Sequence, residues 1–250
     1  MMVSLKNKEE LILMQKAGRI SAEALAAGGR AVQPGVTTWE IDRIIHECIT
    51  SHGAKASFLG YGGFPASACI SVNDEVIHGI PSKKRVLREG DIVSIDVGAF
   101  IGGFHGDNAF TFPCGEISAQ ARALLDATNE SLYEAIRAAQ PGNRIGDVSA
   151  AVQGYVEAKG FSVVRDYVGH GVGRKLHEEP EVPNFGKAGH GLRLAPGMVI
   201  AIEPMINAGA FPVRQLSDGW TVKTRDGSLS AHFEHTIAIT ENGPVILTKI

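Results

Sequence analysis

The sequence is poor in cysteine: Cys48, Cys69 and Cys114 are the only three in 250 residues. Their odd number and lack of paired spacing exclude a disulfide framework and a zinc motif. They point instead to reduced thiols in a cytoplasmic protein. Long apolar runs are absent too. No segment stays apolar over the roughly 20 residues that a membrane-spanning helix requires. The stretch from Met1 to Arg19 mixes Lys and Glu into its apolar positions and lacks the core of a signal peptide. Nor is one charge in excess. Lys and Arg number 24 against 27 Asp and Glu, a formal net charge of -3, which gives no electrostatic reason to bind DNA or a membrane. The short run Lys83-Lys84-Arg85 reads as a solvated loop. No Pro/Ser-rich or charged linker divides the chain, so a single domain over residues 1–250, large enough to bury a sizeable core, is expected.

What is present is a repeat. Gln33-Pro34-Gly35 returns as Gln140-Pro141-Gly142. Leu87-Arg-Glu-Gly-Asp-Ile-Val-Ser-Ile-Asp96 lines up with Leu194-Ala-Pro-Gly-Met-Val-Ile-Ala-Ile-Glu203. Gly53 pairs with Gly160, Gly90 with Gly197 and Asp96 with Glu203, all at an offset of 107 residues. One offset kept across separated segments argues for a duplicated α/β unit, with halves at about 1–113 and 114–250. Two copies facing across a pseudo-two-fold axis would carry Asp96 and Glu203 toward one centre.

In each copy helices precede strands. Residues 8–28 are amphipathic at helical spacing. Thr37 to Glu40 has the form of a capping box, Ile41, Ile44, Ile45, Cys48 and Ile49 follow on one face, and Gly53 stops the helix. Val148, Ala151, Val152, Tyr155 and Val156 repeat that stripe up to Gly160. A further helix is expected from about Ser118 to Ala139. Strand patterns cover 66–72, 91–100, 104–112, 198–206 and 232–240, and Gly102-Gly103 marks a hairpin. Residues 211–230 read as an insertion in the second hairpin. The fold class is therefore α+β, two pseudo-symmetric halves with an antiparallel sheet and helices on its outer face.

Acids inside apolar strands are the candidates for chemistry. In a hairpin centred between Ile101 and Gly102, Asp96 and Asp107 stand directly opposite and share a face. Two like charges this close repel unless a cation or proton intervenes; the alternative is that one of them caps a turn. Glu203, in Val-Ile-Ala-Ile-Glu-Pro, and Glu234, in His-Phe-Glu-His-Thr, lie in similarly apolar surroundings, where an unpaired charge is costly. Glu234 follows Asp107 by 127 residues, the repeat period plus a 20-residue insertion. Any single acid could belong to a buried structural ion pair, but no comparable set of basic residues accompanies the four. Among the histidines, His170 stands between glycines, and His78 and His177 lie in loops that lead into prolines. A lone histidine is more often structural, whereas three beside four acids favour a site. His232 could share the face of Glu234, and His235 would not. The set Asp96, Asp107, His170, Glu203 and Glu234 suits two divalent ions such as Mn, Fe or Co, with Zn also open. Such a pair would activate a bridging water for hydrolysis.

These stretches closely resemble the type I methionine aminopeptidases of the pita-bread metallopeptidase family. The matching segments are Ser71-Val-Asn-Asp-Glu-Val-Ile-His-Gly-Ile-Pro81, Asp91-Ile-Val-Ser-Ile-Asp-Val-Gly, Phe104-His-Gly-Asp-Asn, Gly169-His-Gly-Val-Gly-Arg-Lys-Leu-His-Glu-Glu-Pro180, Gly197-Met-Val-Ile-Ala-Ile-Glu-Pro and His232-Phe-Glu-His-Thr. They span essentially the whole chain in one order. The resemblance implies a pita-bread fold and removal of the initiator methionine from nascent chains, with a small second residue preferred. It gives Asp96, Asp107, His170, Glu203 and Glu234 to two metal ions. It makes His177 a stabiliser of the tetrahedral oxygen and places His78 on the substrate near the scissile amide. Tyr61, Phe64, Cys69 and Trp220 become the wall of a methionine pocket, although each could equally be plain core. Phe58 and Leu176 depart from many bacterial relatives and put the pocket's shape in question. Asn73 and Ser230 match positions that hold a monovalent cation in some relatives. Nascent polypeptides and, through them, the ribosome are the implied partners, and a monomer is the default.

Three rival readings are weaker. Proline-directed aminopeptidases and creatinase-like hydrolases of the same fold carry a large extra N-terminal domain, whereas this sequence begins with the helical unit. Type II aminopeptidases carry a helical insertion in the second half, whereas residues 211–230 lack a helical pattern. A metal-free binding module would have lost ligands and gained a basic stripe, and neither is seen.

Overall fold

Local chemistry starts each helix. The structure, a computed structural model, describes residues 3–249. Asn7 and Glu10 exchange side-chain and backbone hydrogen bonds in a capping box that opens α1 (Lys8–Arg30). Thr37 and Glu40 do the same for α2 (Thr38–Ser51), and Gly53, at φ 69°, follows its end. Ser118 caps α3 (Ala119–Ala138). The Asp147 carboxylate accepts the Arg144 N–H at the start of α4 (Ile145–Glu157).

Among the described residues the main sheet has nine strands, and its neighbours are antiparallel. Its order runs Lys55–Ala56, Ile92–Ile101, Phe104–Pro113, Glu234–Thr240, Val199–Ile202, Gly169–Gly171, Glu178–Val182. Ala68–Val72 adds to Ile92–Ile101, and Gly243–Ile246 to Glu234–Thr240. The two copies of the repeat thus join where Phe104–Pro113 pairs with Glu234–Thr240.

In each copy the second helix packs on that copy's own strand. Ile41, Ile45 and Ile49 of α2 cluster with Val93 and Ile95 of the sheet. At the 107-residue offset, Val148, Val152 and Val156 of α4 cluster with Ile200 and Ile202. The turns before these helices match as well. Gly35 and Gly142 both have φ 92°, and their N–H groups donate to Leu87 O and Leu194 O at 2.9 Å each. Positive φ is open to glycine without steric cost, which explains the repeated Gln-Pro-Gly.

Two expectations need correction. Ile101 pairs with Phe104, so the hairpin turn is Gly102-Gly103, with both residues at positive φ as a tight two-residue turn requires. Asp96 therefore faces Ala109, and Asp107 faces Gly98. The centre lies one residue further on than expected and the partner shifts by two. The acids keep one face but are diagonal rather than direct neighbours. The second-copy strands are also not continuous. Val199–Ile202 and Met205–Asn207 flank Glu203-Pro204, where proline has no N–H to give the ladder. Opposite them, Ser230–His232 and Glu234–Thr240 flank Phe233. The 211–230 insertion forms Val213–Gln215 and Val222–Thr224, and the latter pairs with Glu75–Ile77.

Helix α1 lies directly on the sheet because Gly106 meets Gly18 there. A Cβ on Gly106 would collide with the Gly18 backbone. Gly106→Ala is expected to lower stability by roughly 1–3 kcal/mol through overpacking. Gly154→Ala, on an exposed face of α4 with nothing near the added methyl, should raise it by about 0.5–1 kcal/mol. Urea unfolding of both variants checks this; midpoints that move the same way would contradict the packing described.

Candidate metal centre and its cavity

Strand register gathers the acids. Ala109 pairs with Asp96 on one side and with Glu234 on the other. Asp107 lies two residues before Ala109 and so shares its face. His235 pairs with Ile202, which sets Glu203 beside Glu234 where those strands end. On the next strand the His170 Nδ1–H donates to Gly171 O at 2.8 Å. That leaves the His170 Nε2 lone pair directed at the acids, 3.6 Å from Glu203 Oε1 and 3.9 Å from Asp107 Oδ2. All five candidate ligands therefore converge, and ligand atoms of Asp107, His170 and Glu234 lie within 4.8 Å of one another.

Two supports escaped the sequence reading. The Thr236 hydroxyl donates to Asp107 O at 2.7 Å and accepts from its N–H at 3.1 Å, and Asn184 Nδ2 donates to Glu203 O at 2.9 Å. A threonine buried in an apolar strand two residues after Glu234 was the one available signal.

The electrostatics call for a cation. Burial pushes the Asp96 carboxyl up to about 7. Burial and mutual repulsion push Asp107, Glu203 and Glu234 well above the usual carboxylate range. Asp96 Oδ1, Asp107 Oδ1 and Glu234 Oε1 are buried without a hydrogen-bond partner among the described residues. Orphaned acceptors of this kind are costly alone and are the natural ligands of a hard or borderline divalent ion. The residues present therefore fit a metal centre.

A cavity of about 190 Å³ opens onto the acids. Its apolar lining is Phe58, Tyr61, Phe64, Cys69, Leu176 and Trp220, and its polar lining is His78, His170, His177 and the four carboxylates. Cys69 stands opposite Asp96 across two strands, so it borders both regions. Trp220 arrives from the insertion and packs edge-on to Phe64 at 5.1 Å. Phe58 and Leu176, the two departures from many relatives, both face this space. Its size suits one amino-acid side chain rather than an extended ligand.

The remaining histidines differ in placement. His177 Nδ1 is 2.8 Å from Tyr61 Oη, and its ring lies 4.1 Å from that of His170. His78 sits at φ 59°, a strained value for a residue with a Cβ, and lies edge-on to Tyr167 at 5.9 Å. Tyr167 was not foreseen. Burial lowers His78 to about 4 and His170 to about 3, so both imidazoles are neutral at pH 7. His232 does turn inward, with Nε2 3.8 Å from Glu203 Oε2, whereas His235 bonds Thr248 instead. The carbonyl of Asn73 accepts the Ser230 N–H at 2.9 Å, which brings the two residues of the suggested cation site together.

Buried carboxylates with one imidazole, set against a cavity of side-chain size, are the construction of a metal-dependent hydrolase. The sequence profile of Metallopeptidase family M24 matches residues 12–241. A methionine aminopeptidase of Clostridium perfringens is 57% identical over the full length of both chains. The crystal structure of a methionine aminopeptidase from Thermotoga maritima superposes with a TM-score of 0.98 at 48% identity, covering 100% of each chain. The prolidase of Pyrococcus furiosus shares the fold more distantly, with a TM-score of 0.79 and 26% identity over 98% of this chain and 65% of its own. The chain belongs to metallopeptidase family M24.

Without metal, the folded cluster holds protons that the unfolded chain loses near pH 4. The folded state then binds more protons above that pH, so stability falls as pH rises through about 7. The expected result is a chelated protein whose Tm drops between pH 5 and pH 8 and is restored at pH 8 by Mn. A metal-free Tm that rises over that range would contradict the assignment.

Proposed function

We propose that this protein is a methionine aminopeptidase that removes the initiator methionine from nascent chains in the cytoplasm, acting where the second residue is small. The observation that carries the reading is the junction of the orphaned carboxylates with a cavity of one side chain's size. The relatives' shared name supports it.

Asp96, Asp107, His170, Glu203 and Glu234 would hold two divalent ions, with Mn, Fe, Co and Zn all suited to the set. Bound there, such ions polarise the scissile carbonyl and lower the pKa of the attacking water. The chain's own groups do the rest. The apolar wall of Tyr61, Phe64, Cys69 and Trp220, extended by Phe58 and Leu176, takes the methionine side chain, whose thioether packs well on aromatic edges. The acidic end recognises the free α-amine, and the apolar end has room for one side chain, so cleavage falls at the first peptide bond. When Tyr61 donates to His177 Nδ1, the His177 Nε2–H is left to meet the negative charge that grows on the carbonyl oxygen. His78, neutral and held by its backbone, donates to the substrate near the scissile amide. Glu203 carries a proton from water to the leaving amine. A monovalent cation at Asn73 and Ser230 would brace the strands behind the site.

The test is hydrolysis of Met-Gly-Met-Met, Leu-Gly-Met-Met and an Ala-Pro peptide by the chelated protein, with Mn, Co, Fe or Zn added in turn. Metal-dependent release of methionine from the first peptide only is expected. Release from the Ala-Pro peptide would overturn the specificity, and no release with any metal would overturn the activity. Asp107→Asn should cut both turnover and metal loading by about a hundredfold or more, since it removes a ligand charge and not merely a supporting contact. Full turnover in that variant would remove Asp107 from the ligand set.

A further inference from the structure

We propose that Lys6 is a positioning residue for His177, acting through a buried ion pair with Glu178; the inference rests on the role given above to His177. His177 ends the turn between the strands Gly169–Gly171 and Glu178–Val182. Its ring lies against the Tyr61 hydroxyl and the His170 ring. Because the side chain springs from the end of this turn, a shift of the turn's backbone would carry the imidazole away from both.

That backbone is wrapped around the Glu178 carboxylate. Glu178 Oε1 accepts the Lys175 N–H at 3.1 Å, and a Cβ on Gly173 would run into the same carboxylate. Glu178 Oε2 meets Lys6 Nζ at 2.6 Å, with the two side chains 13% and 3% exposed. The partners are 172 residues apart, so the pair ties the turn to a distant segment. Lys6 is itself fixed, because its N–H donates to Gly197 O at 2.7 Å and Nζ donates also to Ser4 O at 3.2 Å. A second tie joins the same two segments, since Arg174 Nη2 meets Glu10 Oε1 at 3.1 Å. Arg174 is 66% exposed there, and exposed pairs of this kind hold little. The buried pair is thus the one able to fix the turn. A shift of about 1 Å in a catalytic group costs up to about a hundredfold in rate.

The experiment uses the metal-loaded full chain on Met-Gly-Met-Met, with kcat, KM and Tm measured together. Lys6→Met alone would leave a buried carboxylate unpaired and risk the fold. The main variant is therefore Lys6→Met with Glu178→Gln, which removes both charges. A fall in kcat of about tenfold or more is expected, with KM within about twofold. Lys6→Arg should recover most of the rate, and Glu10→Gln should match wild type. In a His177→Ala background the double change should cost nothing further, because the group it positions is gone. A folded double variant with wild-type kcat, or a full additional loss in the His177→Ala background, overturns the inference while leaving the activity intact. A wild-type chain that releases no methionine with any metal overturns the underlying reading and this inference with it.

Discussion

Four carboxylates buried side by side repel one another, and the rest of the molecule is arranged around that repulsion. Asp96, Asp107 and Glu234 sit on hydrogen-bonded strands of the main sheet, and Glu203 directly follows another of them. They cannot spread apart without breaking backbone hydrogen bonds, each of which is costly to lose in a buried sheet. The sheet therefore holds charge where free side chains would not gather. It leaves two ways out, protonation or a cation. The strongly raised pKa values describe the first, and the orphaned oxygens describe the second.

The duplicated architecture makes such a cluster possible. One α/β unit brings an apolar strand that carries Asp96, and its copy brings one that leads into Glu203. Beneath them, the stripe of Ile41, Ile45 and Ile49 on Val93 and Ile95 recurs as Val148, Val152 and Val156 on Ile200 and Ile202, so in each half the second helix anchors that half's own strand. What breaks the symmetry is what the site needs. Pro204 interrupts one ladder beside Glu203, and the insertion delivers Trp220 to a cavity that the first copy lines with Phe64 and Cys69. Neutral histidines fill the boundary between the apolar and acidic ends, where charged ones would compete with a cation.

Local features of the fold were legible in the sequence because they follow from short-range physics. Thr37 and Glu40 cap a helix, Gly53 ends it, and Ile41, Ile45 and Ile49 face a core wherever the chain goes. The repeat extended that reading to residues 107 apart, and so to the meeting of Asp96 and Glu203. Register was less legible, since alternation fixes the face of a strand and not its partner. Asp96 and Asp107 were thus placed on the correct face with the wrong neighbours. The cavity wall came from family resemblance, because a Phe64 or Leu176 facing a cavity has the same pattern as one facing a core. Contacts such as Lys6 with Glu178 or Tyr61 with His177 leave no local signature at all, as their partners are more than a hundred residues away.

The central claim is that a divalent cation, and not a proton, resolves the repulsion among the four acids. Anomalous diffraction from crystals soaked in Mn at neutral pH tests it directly. The account predicts anomalous peaks among Asp96, Asp107, His170, Glu203 and Glu234, with the carboxylates turned onto them. An ordered cluster without such a peak, its carboxyl groups hydrogen-bonded to one another through shared protons, would contradict it.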